Sequence, residues 1–191
     1  MSAIIPKNSG LLFMKVGLHA GESLEEILKR KRREYEAAGM VFWGYGGGTC
    51  HPTRCVQPFA KIKIGEGGNV YIAMERIDSH HLPTNVIATE FSEDGLIWKP
   101  IPKGIEVRAS RYAVVLDEIQ AGDLNIDLSA YKVAVGPSRG KVASEYIAGR
   151  VDKACITPNL ESQTKSEPQI KKIEFIAKIK PPFAVFLRDK S

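Results

Sequence analysis

Cysteine is scarce in this chain: Cys50, Cys55 and Cys155 among 191 residues. An odd number of thiols, in a chain too large to need covalent staples, argues against a disulfide framework. It favours a reducing, cytoplasmic setting with free thiols. Long apolar runs are missing as well. None approaches the ~20 residues of a membrane-spanning helix, so no membrane partner is expected. The first ten residues lack a basic segment followed by a long apolar run, and a signal peptide is not expected either.

Assembled catalytic and metal motifs are also lacking. Cys50, His51 and Cys55 are close in sequence, and His80, His81 and Cys155 could join them. Structural zinc sites arrive as two closely spaced ligand pairs, and no second clean pair exists here. Neither a metal nor a cofactor is expected. Cys50 beside His51 invites a thiol mechanism, but neighbours along a strand point to opposite sides. The partner histidine would have to be His19, His80 or His81, oriented by Asp78 or Asp94, and no recognisable arrangement emerges. Glu90, Glu93, Asp94, Glu118, Asp123 and Asp127 form no convincing acid/base pair.

What is present is ordinary globular composition, 43 % apolar and 26 % charged, enough for a sizeable core. The net charge of +5 favours an anionic partner.

The richest stretch covers residues 40–55, an apolar strand that runs into a glycine loop. Trp43 and Tyr45 flank its first glycine and offer flat faces for a base. Gly46, Gly47, Gly48 and Thr49 leave backbone amides open to form an anion-binding concavity. His51 could donate to a phosphate, and Arg54 could pair with one bidentately. A second loop, residues 136–141, follows a short strand and leads into an expected helix over 142–154. Ser138, Arg139, Gly140 and Lys141 there suit an anion at a helix start. The spacing is one residue short of a Walker loop, and Val142 replaces its Ser or Thr, which excludes an NTPase. The basic helix residues Lys29 to Arg33, with Arg108 and Arg111, read as a solvated face that could also meet phosphates.

Taken in order, residues 11–16 form a buried strand. Ser23 and Glu26 form a capping box for a helix to Ala38, stopped by Gly39. Leu24, Ile27, Leu28, Tyr35 and Ala38 share one face, with the stem of Lys31 between them. A strand over 40–43 follows. Residues 56–64 and 70–75 alternate as a hairpin around a glycine-rich turn, and 88–92 with 96–100 form a second. Residues 112–116 and 132–135 are strands, and 121–131 is a polar connection between them. Residues 173–179 and 183–187 read as edge strands around Pro181 and Pro182.

The expected fold is therefore α+β: a mainly antiparallel, strongly bent sheet or partial β-barrel with two main helices. Residues 1–156 form the ligand-binding domain, 157–170 a polar linker or mobile loop, and 171–191 C-terminal strands packed on the same domain. This outline resembles PUA-like nucleic-acid modules, which would imply RNA or DNA binding as one alternative. The preferred function is non-catalytic binding, by sensing or sequestration, of a nucleotide or nucleotide-like anionic small molecule. The second messenger of a defence system is one guest of that class. The site could be completed by a second subunit. The other alternative is an enzyme acting on a phosphorylated or nucleotide substrate through His51 or Cys50.

Overall fold

Strand β1 (Gly10–Leu18) is apolar on both faces because it lies inside a sheet, and Leu11, Leu12 and Phe13 are fully buried. The computed structural model describes residues 5–18, 22–46, 48–80, 86–148, 151–160 and 167–190. Helix α1 (Leu24–Ala38) opens on a capping box. The Glu26 amide donates to the Ser23 hydroxyl at 3.2 Å, and the Ser23 amide donates to the Glu26 carboxylate at 2.7 Å. Gly39 closes the helix in the left-handed region at φ 70°, its N–H donating to the Tyr35 carbonyl. Leu24, Ile27 and Leu28 are buried as expected, but Lys31 is buried to its ammonium rather than along its stem alone.

Strand β2 (Val41–Tyr45) follows α1. A π-helical turn (Pro52–Val56) leads into α2 (Gln57–Gly65), and β3 (Val70–His80) comes next. Strands β4 (Glu90–Ser92) and β5 (Lys99–Pro100) pair as the expected short hairpin. Then come β6 (Tyr112–Leu116), β7 (Gln120–Asp127), β8 (Tyr131–Val133), the four-residue helix α3 (Ala143–Tyr146), β9 (Lys153–Pro158) and β10 (Ile170–Arg188). Among the described residues the fold is α+β, with one ten-stranded mixed sheet and three α-helices. Its main path runs β2-β6-β10-β3-β1-β9-β8 and does not close, while β4 and β7 pair with β10 off that path. Most pairs are antiparallel; β1 and β3 run parallel, Leu12 opposite Ile72.

Four segments differ from the sequence expectation. Residues 56–64 are helical, not a hairpin arm. Val56, Phe59 and Ala60 are the buried positions, a helical spacing, and Pro58 is tolerated in a first helical turn. The helix expected over 142–154 stops at Tyr146, because Ala154, Cys155 and Ile156 are buried in β9 opposite Phe13, Leu12 and Leu11. Residues 121–131 are not a bare connection: Gly122, Leu124 and Ile126 alternate inward in β7. The two C-terminal arms are one long strand, β10, set inside the sheet between β3 and β6 rather than at an edge. Pro181 and Pro182 fall where its register shifts, between Ile179 and Ala184, so no regular ladder bond is lost to them. Thr157 and Pro158, at the start of the expected linker, belong to β9. At its other end the Gln169 amide donates to Asp127, and its carbonyl accepts from the Leu128 amide. Among the described residues no helix is long and apolar enough to cross a membrane.

Candidate ligand-binding site

A cleft of about 320 Å³ opens between α1, the C-terminal half of β1, β2 and the start of β9. Met14, Val16, Ile27, Trp43 and Val107 give it an apolar floor, and Arg30, Lys31, Arg108 and Lys153 bring cations to its walls; Lys15, between Met14 and Val16, turns its side chain to the opposite face. Strand alternation sets this up. Met14 and Val16 join Trp43 in one core cluster, so the two strands turn these residues to a common interior.

The cations are held, not loose. Glu22 takes both Nε and Nη2 of Arg30, at 3.2 and 3.1 Å, and also meets Arg108 Nη1 at 3.1 Å. Arg30 Nη1 donates to the Glu106 carbonyl at 2.7 Å, and Arg108 Nε pairs with the Glu106 carboxylate. Lys15 donates to the Ile147 carbonyl at 3.0 Å. Lys153 donates to Asp152 at 2.8 Å and lies 5.0 Å above the centre of the Tyr45 ring. Lys31 donates to both Glu34 oxygens, at 2.9 and 3.1 Å, and to the Phe42 and Glu106 carbonyls at 2.6 and 2.9 Å. Its burial lowers its pKa to about 8 against the attraction of Glu34, whose own pKa burial raises. Burial also raises the Asp152 carboxyl, but the Lys153 ammonium and the Thr49 hydroxyl, at 2.7 Å, outweigh it and hold the pKa low. Glu22, Glu34, Glu106 and Asp152 match Arg30, Lys31, Arg108 and Lys153 one for one, so no surplus positive charge is left over. Such a balance suits a small anion better than a polyanion.

Of the residues expected to form the site, Trp43 and Gly46 line this cleft. Trp43 is only 7 % exposed, so it supplies floor rather than a free stacking face. Tyr45 is 1 % exposed; its hydroxyl donates to the Cys50 carbonyl and its ring is in the core. Both follow from period-two alternation, which turns residues 43 and 45 to the same, inner face. Gly46 and Gly48 do not take positive φ, whereas Cys50 does, at 49°. Gly47 lies outside the described residues, as do His19 and His81. Thr49 is bound to Asp152. The His51 ring packs edge-on against Tyr112 at 4.7 Å and shares a hydrogen bond of 3.2 Å with Thr53. Burial and the nearby Arg54 lower the His51 pKa. Arg54 is exposed and lines neither this cleft nor the next cavity.

The second loop lines a separate cavity. Gly136, Arg139 and Gly140 border about 460 Å³ that shares no lining residue with the first cleft, so the structure does not bring the two loops to one guest. Its amides are turned inward: Arg139 N–H donates to Gly136, Gly140 to Val133 and Lys141 to Ser138. They are therefore not free for a phosphate, and the helix that follows has four residues only. Ser138 is half-buried and Lys141 is exposed.

Sequence reasoning noted Arg30 and Arg108 as part of a basic face that could meet phosphates, and missed Asp152, Lys153 and Ser110 as residues of one cleft. Nothing local ties residue 153 to Trp43 or to α1. The thiols are together: Cys50 Sγ is 3.2 Å from Cys155 Sγ. The hydrogen bond to Cys155, with burial, raises the Cys50 pKa, and the bond to Cys50 does the same for Cys55. Protonated thiols are poor nucleophiles. Among the described residues no group of three or more His, Cys, Asp or Glu is placed to hold a metal ion.

Comparison with known proteins finds no matching family model, no matching curated protein and no matching solved structure. The geometry of the cleft therefore carries the functional argument alone.

Proposed function

We propose that this protein binds, without turning it over, a nucleotide-like small anion in the cleft between α1, β1 and β2. The observation that carries this reading is the set of Arg30, Arg108 and Lys153 around an apolar floor of Met14, Val16, Trp43 and Val107. A planar ring would lie on the floor, and its anionic group would meet the cations. The volume is at the small end of ligand pockets, which run from ~300 to ~1,000 Å³, and favours a mononucleotide-sized guest. The raised Cys50 pKa weighs against an enzyme working through that thiol. The same reading includes a strongly bent sheet. Leu12, Met14 and Val16 of β1 share a cluster with Val41, Trp43 and Tyr45 of β2, at distant places on the sheet path, and curvature would bring such faces together.

The test is thermal unfolding of the full chain against mono-, di- and cyclic nucleotides, followed by calorimetric titration of any that shift it. A guest at ~100-fold its dissociation constant adds ~2.7 kcal/mol, readily seen as a rise in Tm. Arg108→Gln and Lys153→Met, each removing one charge from the wall, should weaken binding by about tenfold, the loss of roughly one charge-assisted hydrogen bond. A panel that produces no shift, or affinities untouched by both variants, removes this reading.

A further inference from the structure

The second cavity lies between the C-terminal half of α2, β8, the 134–140 loop and Thr157 of β9. Phe59, which is buried, forms its base with Ala134 and Val135. Its rim carries Lys63, Lys132 and Arg139 against one carboxylate, Glu66. Glu66 is held at 3.5 Å by Lys63, which leaves Lys132 and Arg139 with no carboxylate partner among the described residues. The end of a helix is a poor place for an anion, because its free carbonyls carry partial negative charge. Here those carbonyls are answered: Glu66 N–H donates to Ile62, Gly67 to Ile64 and Gly68 to Lys63. On the same wall Ile62 is 56 % exposed, beside the cations rather than in the core.

An apolar base, an exposed isoleucine and two unpaired cations above them describe a guest with an apolar body and one anionic head. We propose that this groove is a second binding site, for a small organic anion of that kind, bound through Lys132 and Arg139 with its body against Ile62, Phe59 and Val135. Its volume of about 460 Å³ accommodates a substituted aromatic ring. The site shares no residue with the α1 cleft, so it stands whether or not that cleft binds a nucleotide.

Phenyl phosphate, inorganic phosphate and phenol serve as probes, titrated into the full-length protein with amide chemical shifts as the readout. Phenyl phosphate should move the amides of Ile62, Val133, Val135 and Gly140 in a saturable way. Its affinity should exceed that of either inorganic phosphate or phenol by about tenfold or more, since only it uses both halves of the groove. K132A/R139A should weaken phenyl phosphate by about tenfold. I62Q should weaken phenyl phosphate but leave inorganic phosphate unchanged, a split that non-specific charge attraction does not produce. Arg108→Gln should change none of these. Thermal unfolding of each variant establishes that it is folded. The proposal is overturned if the groove amides stay still, if K132A/R139A binds as the parent does, or if inorganic phosphate matches phenyl phosphate.

Discussion

Lys31 and Glu34 show how a single pair constrains the region behind the cleft. Both are buried, at 3 % and 1 % exposure, and Lys31 also anchors the Phe42 carbonyl of β2 to α1. Removing the cation leaves the Phe42 carbonyl without it and Glu34 with only Arg30 at 3.4 Å and the Glu106 amide at 2.9 Å, so Lys31→Met should cost ~1.5–3 kcal/mol in urea unfolding. The double variant K31M/E34M should recover part of that, since an apolar pair of similar volume avoids the desolvation penalty. The pH dependence has a definite sign. The folded pKa of Lys31, about 8, lies below its ordinary 10.5, so the unfolded chain binds more protons between those values. This group therefore makes stability rise as pH climbs through that window, and the rise should vanish in K31M. Gly44 is a second constrained position: an added Cβ would sit 2.5 Å from the Ser110 hydroxyl and 3.5 Å from Val107. Gly44→Ala should destabilise by ~1–3 kcal/mol, and G44A/S110G should restore most of it. The thiols give a third test. With the Cys50 and Cys55 pKa values raised, alkylation of the folded protein at pH 8 should be far slower than that of the urea-unfolded chain. Rapid labelling of Cys50 would return the thiol enzyme to consideration.

At the scale of elements, local signals were readable where one short-range interaction decides the outcome. Ser23 and Glu26 announced the start of α1 and Gly39 its end, and Ser23→Ala should cost ~1 kcal/mol in thermal or urea unfolding. Strand β6 and the hairpin of β4 with β5 were legible for the same reason, each being bounded by its own turn. Illegible were elements set by distant partners. Residues 154–156 have helix-compatible composition, and only the neighbour β1, some 140 positions earlier in the chain, makes them a strand. In β10 the two prolines look like a break, yet β3 and β6 take up successive halves of one strand on either side of them. The site followed the same division. Trp43 and Gly46 were found because they are neighbours in sequence, and Arg108 was noted for its charge. Their meeting with Met14, Val16 and Lys153 depends on β2 facing β1 and β9 from a distant place in the sheet order, which no local pattern encodes.

For the whole molecule the net charge of +5 has two competing uses, one small guest or a nucleic-acid strand. Lys29, Arg32 and Arg33 on α1 are exposed, and an extended anion could in principle track along them. Yet Arg30, in the middle of that run, is turned into the cleft and bound to Glu22, so the helix does not present an unbroken cationic stripe. The two readings separate by salt. A single-stranded oligomer that neutralises Z phosphates loses affinity with a slope of about −0.7Z in log K against log salt. A guest whose one anionic group enters the cleft should instead show a slope near −1 or shallower, because most of the cations there are already paired with carboxylates. Titration of a mononucleotide and a decanucleotide of the same base, at several salt concentrations, should therefore give equal affinities and shallow slopes for both. A decanucleotide that binds much more tightly at low salt and falls away steeply, with Arg32→Ala and Arg33→Ala reducing the slope, would instead make α1 a nucleic-acid surface.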